Sequence, residues 1–200
     1  MANGPISNDA PATPRSLQPT LTGSTLLLRP LAASDFDSLH AAAADPLVWV
    51  QHPEPTRWKP EVFRRYFDSG LACGGALVVI ERAGGEVVGS SRYYHWKPDM
   101  EDITVGYTFL VRRLWGGPAN REMKALMLGH AFGFARVVRF EVGRDNLRSR
   151  RAMEKLGATL LPEMPADPGA GAPANVCYVI ARSEWVGGLA DRAGVHASRI

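Results

Sequence analysis

A pair of glycines lies between a strand-like segment and an amphipathic helical segment, and this junction constrains the fold more than any other feature. It is the run Arg113–Glu122, which follows the apolar segment Ile103–Val111. Glycines let the backbone approach a ligand closely, and the first turn of a helix presents unpartnered N–H groups and partial positive charge. The junction therefore predicts either a tight strand-to-helix connection or a binding site for an anionic phosphate.

The run differs from two other phosphate-binding loops. It lacks the Gly-Lys-Ser/Thr ending of a P-loop and the three-glycine spacing of a dinucleotide fingerprint. Pro118 has no N–H, which removes one donor, although proline suits the first helical position. We expect the amides of Gly117, Ala119 and Asn120, with the Asn120 side chain, to make up for this loss.

A second block, Asp145–Ala158, begins 32 positions after Arg113. Four of its residues follow the spacing Asn-x-x-Ser-x-x-x-x-x-Lys-x-Gly, namely Asn146, Ser149, Lys155 and Gly157. Together with Arg113-Leu114-Trp115-Gly116-Gly117, the block resembles the GNAT superfamily of acyl-CoA-dependent N-acetyltransferases. Its closest resemblance is to the branch related to the RimJ/RimL ribosomal-protein N-terminal acetyltransferases, and it extends over residues 25–185.

This resemblance implies an α/β fold of the α+β type, with a mostly antiparallel central sheet of six to seven strands and helices on both faces. It also implies acetyl-CoA as cosubstrate, an amine acceptor and no metal. The positions that match the family's coenzyme site are Leu110, Val111, Arg112, Arg113, Trp115, Gly116, Gly117, Ala119, Asn120, Asn146 and Ser149.

Hydrophobic periodicity and turn residues divide the chain into a disordered tail (1–20), one acetyltransferase domain (21–187) and a C-terminal tail or short helix (188–200). A helix capped by Ser34, a helix from Pro60 ending before Gly70, and a loop over 162–175 are expected. A helix with a methionine stripe is expected after the glycine pair. Strands are predicted at 25–29, 76–81, 86–94, 103–111, 137–142 and 176–182.

Composition narrows the class of protein. The 23 basic and 20 acidic side chains leave a net charge of +3, which is too small to indicate nucleic-acid binding. Cys73 and Cys177 lack metal-ligand spacing, and no apolar run is long enough to span a membrane. We therefore expect a cytoplasmic protein with no nucleic acid or membrane partner, and a homodimer is possible by similarity to related enzymes.

Two residues of the second block are candidates for catalysis. Because related enzymes place a serine there, Ser149 is expected to protonate the departing thiolate, but a first-turn serine can equally bond to its own backbone. Asn146 is expected to bond the pantetheine or the acceptor, and it also suits a helix N-cap. A backbone N–H near Leu110-Val111 is expected to meet the oxyanion, because in the family this strand bulges and separates from its neighbour.

The general base is the least defined part of the predicted site. Related enzymes often carry a glutamate where this chain has Thr104. Asp102 lies two residues earlier on the same strand face and is the preferred candidate, with Glu101 and His95 nearby. All three also suit a solvated strand end. The aromatic residues Tyr93, Tyr94, Trp96 and Tyr107 are expected either to line the acceptor cleft or to pack the sheet.

The sequence is compatible with two functions of different classes, an enzyme and a binding module. The first is an acetyl-CoA-dependent N-acetyltransferase acting on a peptide N-terminus or a small amine, and the second is a catalytically silent acyl-CoA-binding module. A chain without a strong base suits α-amines, since at pH 7 roughly a tenth of α-amines but only about one lysine in two thousand is neutral.

Overall fold

The computed structural model describes residues 16–162 and 175–185 of the protein, and most of them belong to one sheet and the helices packed on it. The predicted loop over 162–175 and the terminal segments 1–15 and 188–200 lie almost wholly outside the described residues. Strands β1 to β8 are Leu21–Thr22, Leu26–Pro30, Ala76–Glu81, Val87–Lys97, Asp102–Leu110, Val137–Gly143, Thr159–Leu160 and Asn175–Ala181. Helices α1 to α5 are Phe36–Ala43, Pro60–Ala72, Ala119–Ala131, Leu147–Leu156 and Arg182–Trp185.

The eight strands form a single sheet in the order β1-β2-β3-β4-β5-β6-β8-β7. Every neighbouring pair is antiparallel except β5 and β6, which run parallel, so the predicted mostly antiparallel sheet is confirmed. The described residues form eight strands rather than six to seven. The two strands that the sequence did not predict, β1 and β7, have two residues each, which is too short for an alternating pattern.

Successive side chains of the central strands pack alternately into two separate hydrophobic cores, one on each face of the sheet. In β3, Leu77 and Val79 pack in a core with α3 and α4, whereas Ala76 and Val78 pack in a core with α1 and α2. This period of two is the alternation expected of a strand covered on both faces. The methionine stripe of α3 is fully buried, as predicted, at Met123 and Met127. The expectation of helices on both faces is therefore confirmed.

Two predicted helix boundaries are wrong. Ser34 does not cap α1; the carboxylate of Asp35 instead accepts the Ala32 amide at 2.8 Å and pairs with the Arg29 guanidinium at 2.7 Å. Gly70 does not end α2, which continues to Ala72. A Cβ on Gly70 would lie 3.1 Å from Leu31 Cδ2, so this glycine serves close packing rather than a left-handed helix end.

The described part of the predicted N-terminal tail lies against the domain. Leu17 packs on the core beneath α3, and the carbonyl of Ser16 lies 3.0 Å from His130 Nε2. In the ranges 16–162 and 175–185, no helix has the length and apolar character needed to cross a membrane.

Candidate active site

Strands β5 and β6 separate and leave an opening in the middle of the sheet. They pair only at their first residues, Asp102 with Val137 through Thr104 with Arg139. Beyond that point β5 stays with β4, and β6 stays with β8. The side of β5 that faces β6 therefore carries backbone groups without a strand partner, as predicted, and these can pair with an extended amide-containing ligand.

A β-bulge lies in β5 beside this opening. Ser90 and Arg92 of β4 oppose Phe109 and Gly106, so β5 carries one extra residue. Within the bulge, Tyr107 adopts a positive φ of 50°, an uncommon conformation for a residue with a side chain. The Tyr66 hydroxyl donates to the Tyr107 carbonyl at 2.6 Å and holds the bulge against α2. Bulges of this kind redirect backbone groups next to active sites.

The glycine junction forms a loop of free amides. Gly116 has a φ of +73°, with no atom within 4 Å of where its Cβ would be. Pro118 precedes α3, whose first bond to a preceding residue runs from the Glu122 amide to the Pro118 carbonyl. Within the described chain, five amides at this turn have no hydrogen-bond partner, those of Gly116, Gly117, Ala119, Asn120 and Arg121. A diphosphate could accept hydrogen bonds from these amides, and the positive end of the α3 dipole would attract its negative charge.

Three predicted coenzyme-binding side chains make protein contacts instead. The Arg113 guanidinium lies 2.8 Å from Glu81 and 2.7 Å from Glu86, and Arg112 pairs with Asp45. The Trp115 indole N–H donates to the Leu110 carbonyl at 2.9 Å. These residues therefore shape the loop, and their side chains are already partnered before any ligand binds.

The backbone of Val111 is also occupied, whereas that of Leu110 faces the opening. The Val111 amide donates to the Val88 carbonyl at 2.9 Å and is therefore not free to meet an oxyanion. Successive amides of a strand point to opposite sides. The Leu110 amide consequently points away from β4 and into the opening.

The second motif lies at the start of α4, on the other side of the opening. Asn146 is 6% exposed, and its side-chain oxygen accepts the Ser149 amide at 3.1 Å, which confirms the predicted N-cap. The Ser149 hydroxyl has no hydrogen-bond partner among the described residues. The backbone bond that a serine in the first helical turn can make is therefore not formed here. The helix ends at Gly157, at a φ of 84°, as expected.

Arg148 joins the two motifs. Its guanidinium carbon lies 3.8 Å from the centre of the Trp115 ring, and it donates to the Val48 carbonyl at 2.9 Å. Its amide donates to the Gln51 side chain at 3.1 Å. Segments that are far apart in sequence thus meet at one edge of the opening, and the spacing of neither motif predicted this contact.

The preferred candidate base occupies a structural position. Asp102 is 2% exposed and pairs with Arg139 on the neighbouring strand. This hydrogen bond raises the pKa of the Arg139 guanidinium. Glu101 lies 3.5 Å from Arg136 at an exposed turn. A buried, ion-paired carboxylate is poorly placed to accept a proton from an acceptor amine, so the geometry argues against Asp102 as the base.

Replacing Arg139 with glutamine is expected to lower the free energy of unfolding by about 3 kcal/mol, because it leaves the Asp102 carboxylate buried without its counter-charge. Urea denaturation measures this difference, and Arg139→Lys, which keeps the charge, should lose less. A normal stability for Arg139→Gln, together with a folded but inactive Asp102→Asn variant, would return Asp102 to the role of base.

Sequence reasoning missed another carboxylate, Glu141 on β6, which faces the opening. Its Oε2 lies 3.4 Å from the Tyr94 hydroxyl, which extends over Gly106 of β5. A Cβ on Gly106 would lie 2.9 Å from that hydroxyl, so only glycine allows the approach. Burial, and then the charge of Glu141, raise the pKa of the Tyr94 phenol. In the sequence, Gly106 within a predicted strand was the feature that could have indicated a side chain lying across β5 at this point.

Sequence reasoning also missed Lys124, a buried lysine on α3 beneath the bulge. Lys124 is 2% exposed, and its ammonium donates to the Thr108 hydroxyl at 2.8 Å. Burial lowers the pKa of this ammonium to about 7. A lysine between Met123 and Met127 on an apolar stripe was the signal in the sequence.

Two adjoining clefts lie on the α2 side of the bulge and share Ser69 and Tyr107. The larger has a volume of about 450 Å³ and the smaller about 220 Å³. Of the four aromatic residues considered for the acceptor cleft, Tyr94, Trp96 and Tyr107 line the larger one. Tyr93 is instead fully buried, and its hydroxyl donates to the Met127 carbonyl at 2.7 Å.

Solved structures with the same fold are acetyltransferases. A protein assigned as an acetyltransferase is 30% identical, with a TM-score of 0.69 over 84% of this chain and 89% of that one. Another from T. thermophilus is 30% identical, with a TM-score of 0.67 over 86% and 94%. The Microcin C7 self immunity acetyltransferase MccE, solved with acetyl-CoA and AMP, is 12% identical, with a TM-score of 0.64 over 83% and 98%, and shows the fold alone.

No curated protein matches the sequence significantly. The family model for the acetyltransferase (GNAT) domain matches residues 25–159, which is more than half of the chain and includes both the glycine junction and the Asn146 block. The open strands, the loop of free amides and this match agree, and the chain belongs to the GNAT acetyltransferase family.

Proposed function

We propose that the protein transfers the acetyl group of acetyl-CoA to a primary amine by direct attack of the amine on the thioester, with a peptide or protein N-terminus as the favoured acceptor. The observation that carries this proposal is the position of the free-amide loop at Gly116-Gly117 beside the opening between β5 and β6. One feature suits a diphosphate and the other suits the amide-containing arm of the same coenzyme.

Replacing Gly116 with valine is expected to raise the Kd for acetyl-CoA by about tenfold or more, because a β-branched residue disfavours the positive φ that the loop requires. Isothermal titration calorimetry measures the affinity. Gly129→Val is the matched control, since Gly129 is exposed on α3 and nothing lies within 4 Å of where its Cβ would be. An unchanged Kd for Gly116→Val would contradict the assignment of the loop.

Charge that develops on the thioester oxygen needs a donor that is already in place. The Leu110 amide points into the opening and is our candidate for this donor. Ser149 lies on the opposite side, with a hydroxyl for which the described residues provide no partner, and we assign it to the departing sulfur. Asn146 holds the Ser149 amide and keeps the first turn of α4 in place.

Glu141 is the proposed general base, in place of Asp102. It is exposed on β6, and its bond to Tyr94 places it above the opening, where an amine would approach the thioester. Since a fraction of α-amines is already neutral at pH 7, a weak base is sufficient to remove the remaining proton during attack by such an acceptor.

Glu141→Gln is expected to lower kcat/KM for the amine by about tenfold, because proton removal then falls to water. Steady-state release of free CoA thiol measures the rate. Asp37→Asn removes an exposed carboxylate on α1 and should leave kcat/KM unchanged. Equal losses in the two variants would contradict a specific role for Glu141. Comparing peptide α-amines with lysine side chains tests the acceptor class, and faster reaction of lysine at neutral pH would reject the α-amine preference.

The ion pair of Asp102 favours a second candidate function, a silent acyl-CoA-binding module, because it removes the base that the sequence suggested. Thiol release separates the two. Acetyl-CoA binding without release above the hydrolysis background, across a broad panel of amines, would favour the binding module.

A further inference from the structure

The two clefts beside the bulge form one groove between α2 and strands β4 and β5, which we call the α2 groove. Its shared wall consists of Ser69 and Tyr107. Tyr107 belongs to the bulge, so the groove leads to the point where the thioester is proposed to lie. The groove is therefore positioned to hold the part of the acceptor that does not react.

Arg92 is a buried cation in the wall of this groove. It is 4% exposed, and its guanidinium carbon lies 3.9 Å from the centre of the Tyr107 ring. It donates to the Tyr66 carbonyl at 3.1 Å and to the Ser69 hydroxyl at 3.2 Å, whereas its buried Nε has no partner among the described residues. Buried charged groups are normally paired, because removing them from water is costly.

A second cation, Arg57, lies near Arg92, and both guanidinium groups are close to the Tyr66 ring. The guanidinium carbons of Arg57 and Arg92 are 4.8 Å and 5.0 Å from the centre of the Tyr66 ring. Burial lowers the pKa of the Arg57 guanidinium, the charge of Glu54 opposes this shift, and the charge of Arg92 adds to it. The charge of Arg92 acts on Arg57, and neighbouring cations repel each other, so an anion bound near both would relieve this repulsion.

Within the described residues, no protein carboxylate forms an ion pair with either of these guanidinium groups. Among the described residues, no ion pair within 4.0 Å involves Arg57, Arg65 or Arg92. Glu54 lines the smaller cleft and accepts the Thr56 hydroxyl and amide, and its single negative charge acts on both Arg57 and Arg65. The Glu141 carboxylate lies 3.4 Å from the Tyr94 hydroxyl and forms no ion pair with these three arginines. The groove therefore has an excess of guanidinium groups, which suit carboxylate and phosphate oxygens.

We propose that the α2 groove binds an anionic group of the acceptor through Arg92 and Arg57, so that the substrate is an amine that also carries a carboxylate or a phosphate. This inference rests on the proposed acetyl transfer and specifies its acceptor. Arg92 supplies a guanidinium that has no carboxylate partner among the described residues, and the Ser69 hydroxyl supplies a further polar group at the same wall.

Matched pairs of amines test the proposal. β-Alanine and β-alaninamide differ in one carboxylate, phosphoethanolamine and ethanolamine differ in one phosphate, and an acidic and a neutral peptide extend the test to larger acceptors. For the wild type, kcat/KM is expected to be about tenfold or more higher for the anionic member of at least one pair. The pair with the largest ratio of kcat/KM, anionic over neutral, shows whether the groove prefers a small carboxylate, a phosphate or an acidic peptide.

Variants separate recognition from folding. Arg92→Gln is expected to lower kcat/KM for the anionic member by about tenfold more than for the neutral member, mainly through a higher KM for the anionic amine. Arg92→Lys should restore part of the preference, and Arg64→Gln is the matched control because Arg64 lies on α2 with an exposed side chain. Should Arg92→Gln not fold, Arg57→Gln provides the same measurement on the second cation.

Binding of the acetylated products gives a readout that does not require turnover. N-acetyl-β-alanine and N-acetylphosphoethanolamine are titrated against their uncharged counterparts by calorimetry. Tighter binding of a charged product, lost in Arg92→Gln, supports the groove even if no amine is turned over, in which case acetyl transfer alone fails. Equal affinities and equal kcat/KM within every pair would overturn the groove proposal and leave acetyl transfer intact.

Discussion

Ser149→Ala is expected to lower kcat for acetyl transfer by about 10²-fold, the largest kinetic effect of a single substitution in this site. In the absence of ligand the Ser149 hydroxyl has no recorded partner among the described residues, so its removal should hardly change stability. The backbone amide of residue 149 keeps its bond to Asn146 in the variant. Affinity for acetyl-CoA should therefore remain close to that of the wild type, while the step that releases the thiolate becomes slower.

Thiol release under saturating acetyl-CoA measures kcat, and calorimetry measures the affinity. Ser149→Thr is the matched variant, because it keeps a hydroxyl at the same position of α4 and should recover part of the rate. A kcat for Ser149→Ala within about twofold of the wild type would show that the departing sulfur takes its proton from another group, such as water.

Lys124→Met is expected to stabilise the protein, and the gain should be largest below pH 7. Burial lowers the pKa of Lys124 from 10.5 to about 7. Between these two values the unfolded chain binds a proton that the folded protein has released, so the wild type gains stability as the pH rises. The gain amounts to about 1.4 kcal/mol per pH unit. Methionine has no such dependence, because it carries no charge.

Urea denaturation from pH 6 to pH 10 tests this directly. The difference in unfolding free energy between Lys124→Met and the wild type should be constant below about pH 7 and shrink steadily above it. Lys155→Met is the control, since Lys155 is exposed on α4 and its replacement should give no comparable slope. A pH-independent difference for Lys124→Met would show that the lysine is solvated in the folded state.

Patterns that are local in sequence predicted most of the secondary structure. The apolar, β-branched run in Ala76–Glu81, the turn at Gly84-Gly85 and the left-handed helix end at Gly157 are visible within a few residues, and each is present in the structure. Gly70 misled the prediction because glycine serves two purposes, a positive φ or the absence of a Cβ. Only the neighbouring Leu31 shows that the second applies.

Side-chain roles in the site could not be predicted in the same way, because they depend on partners from distant segments. Asp102 has the residue type and strand position of a base, yet Arg139 on the next strand occupies it. Arg113 matches a coenzyme motif, yet Glu81 and Glu86 hold its guanidinium. Glu141 and Arg92 belong to no motif, and their place beside the bulge follows from the packing of α2, β4 and β6.

The sequence by itself determined the family, the order of strands and helices and the two backbone motifs, since glycine conformation, caps and apolar period act over a few residues. The tertiary structure alone decided which charges are neutralised and which remain for a ligand. Ion pairing and burial are set by distances between segments that lie tens of residues apart, and no local pattern records those distances.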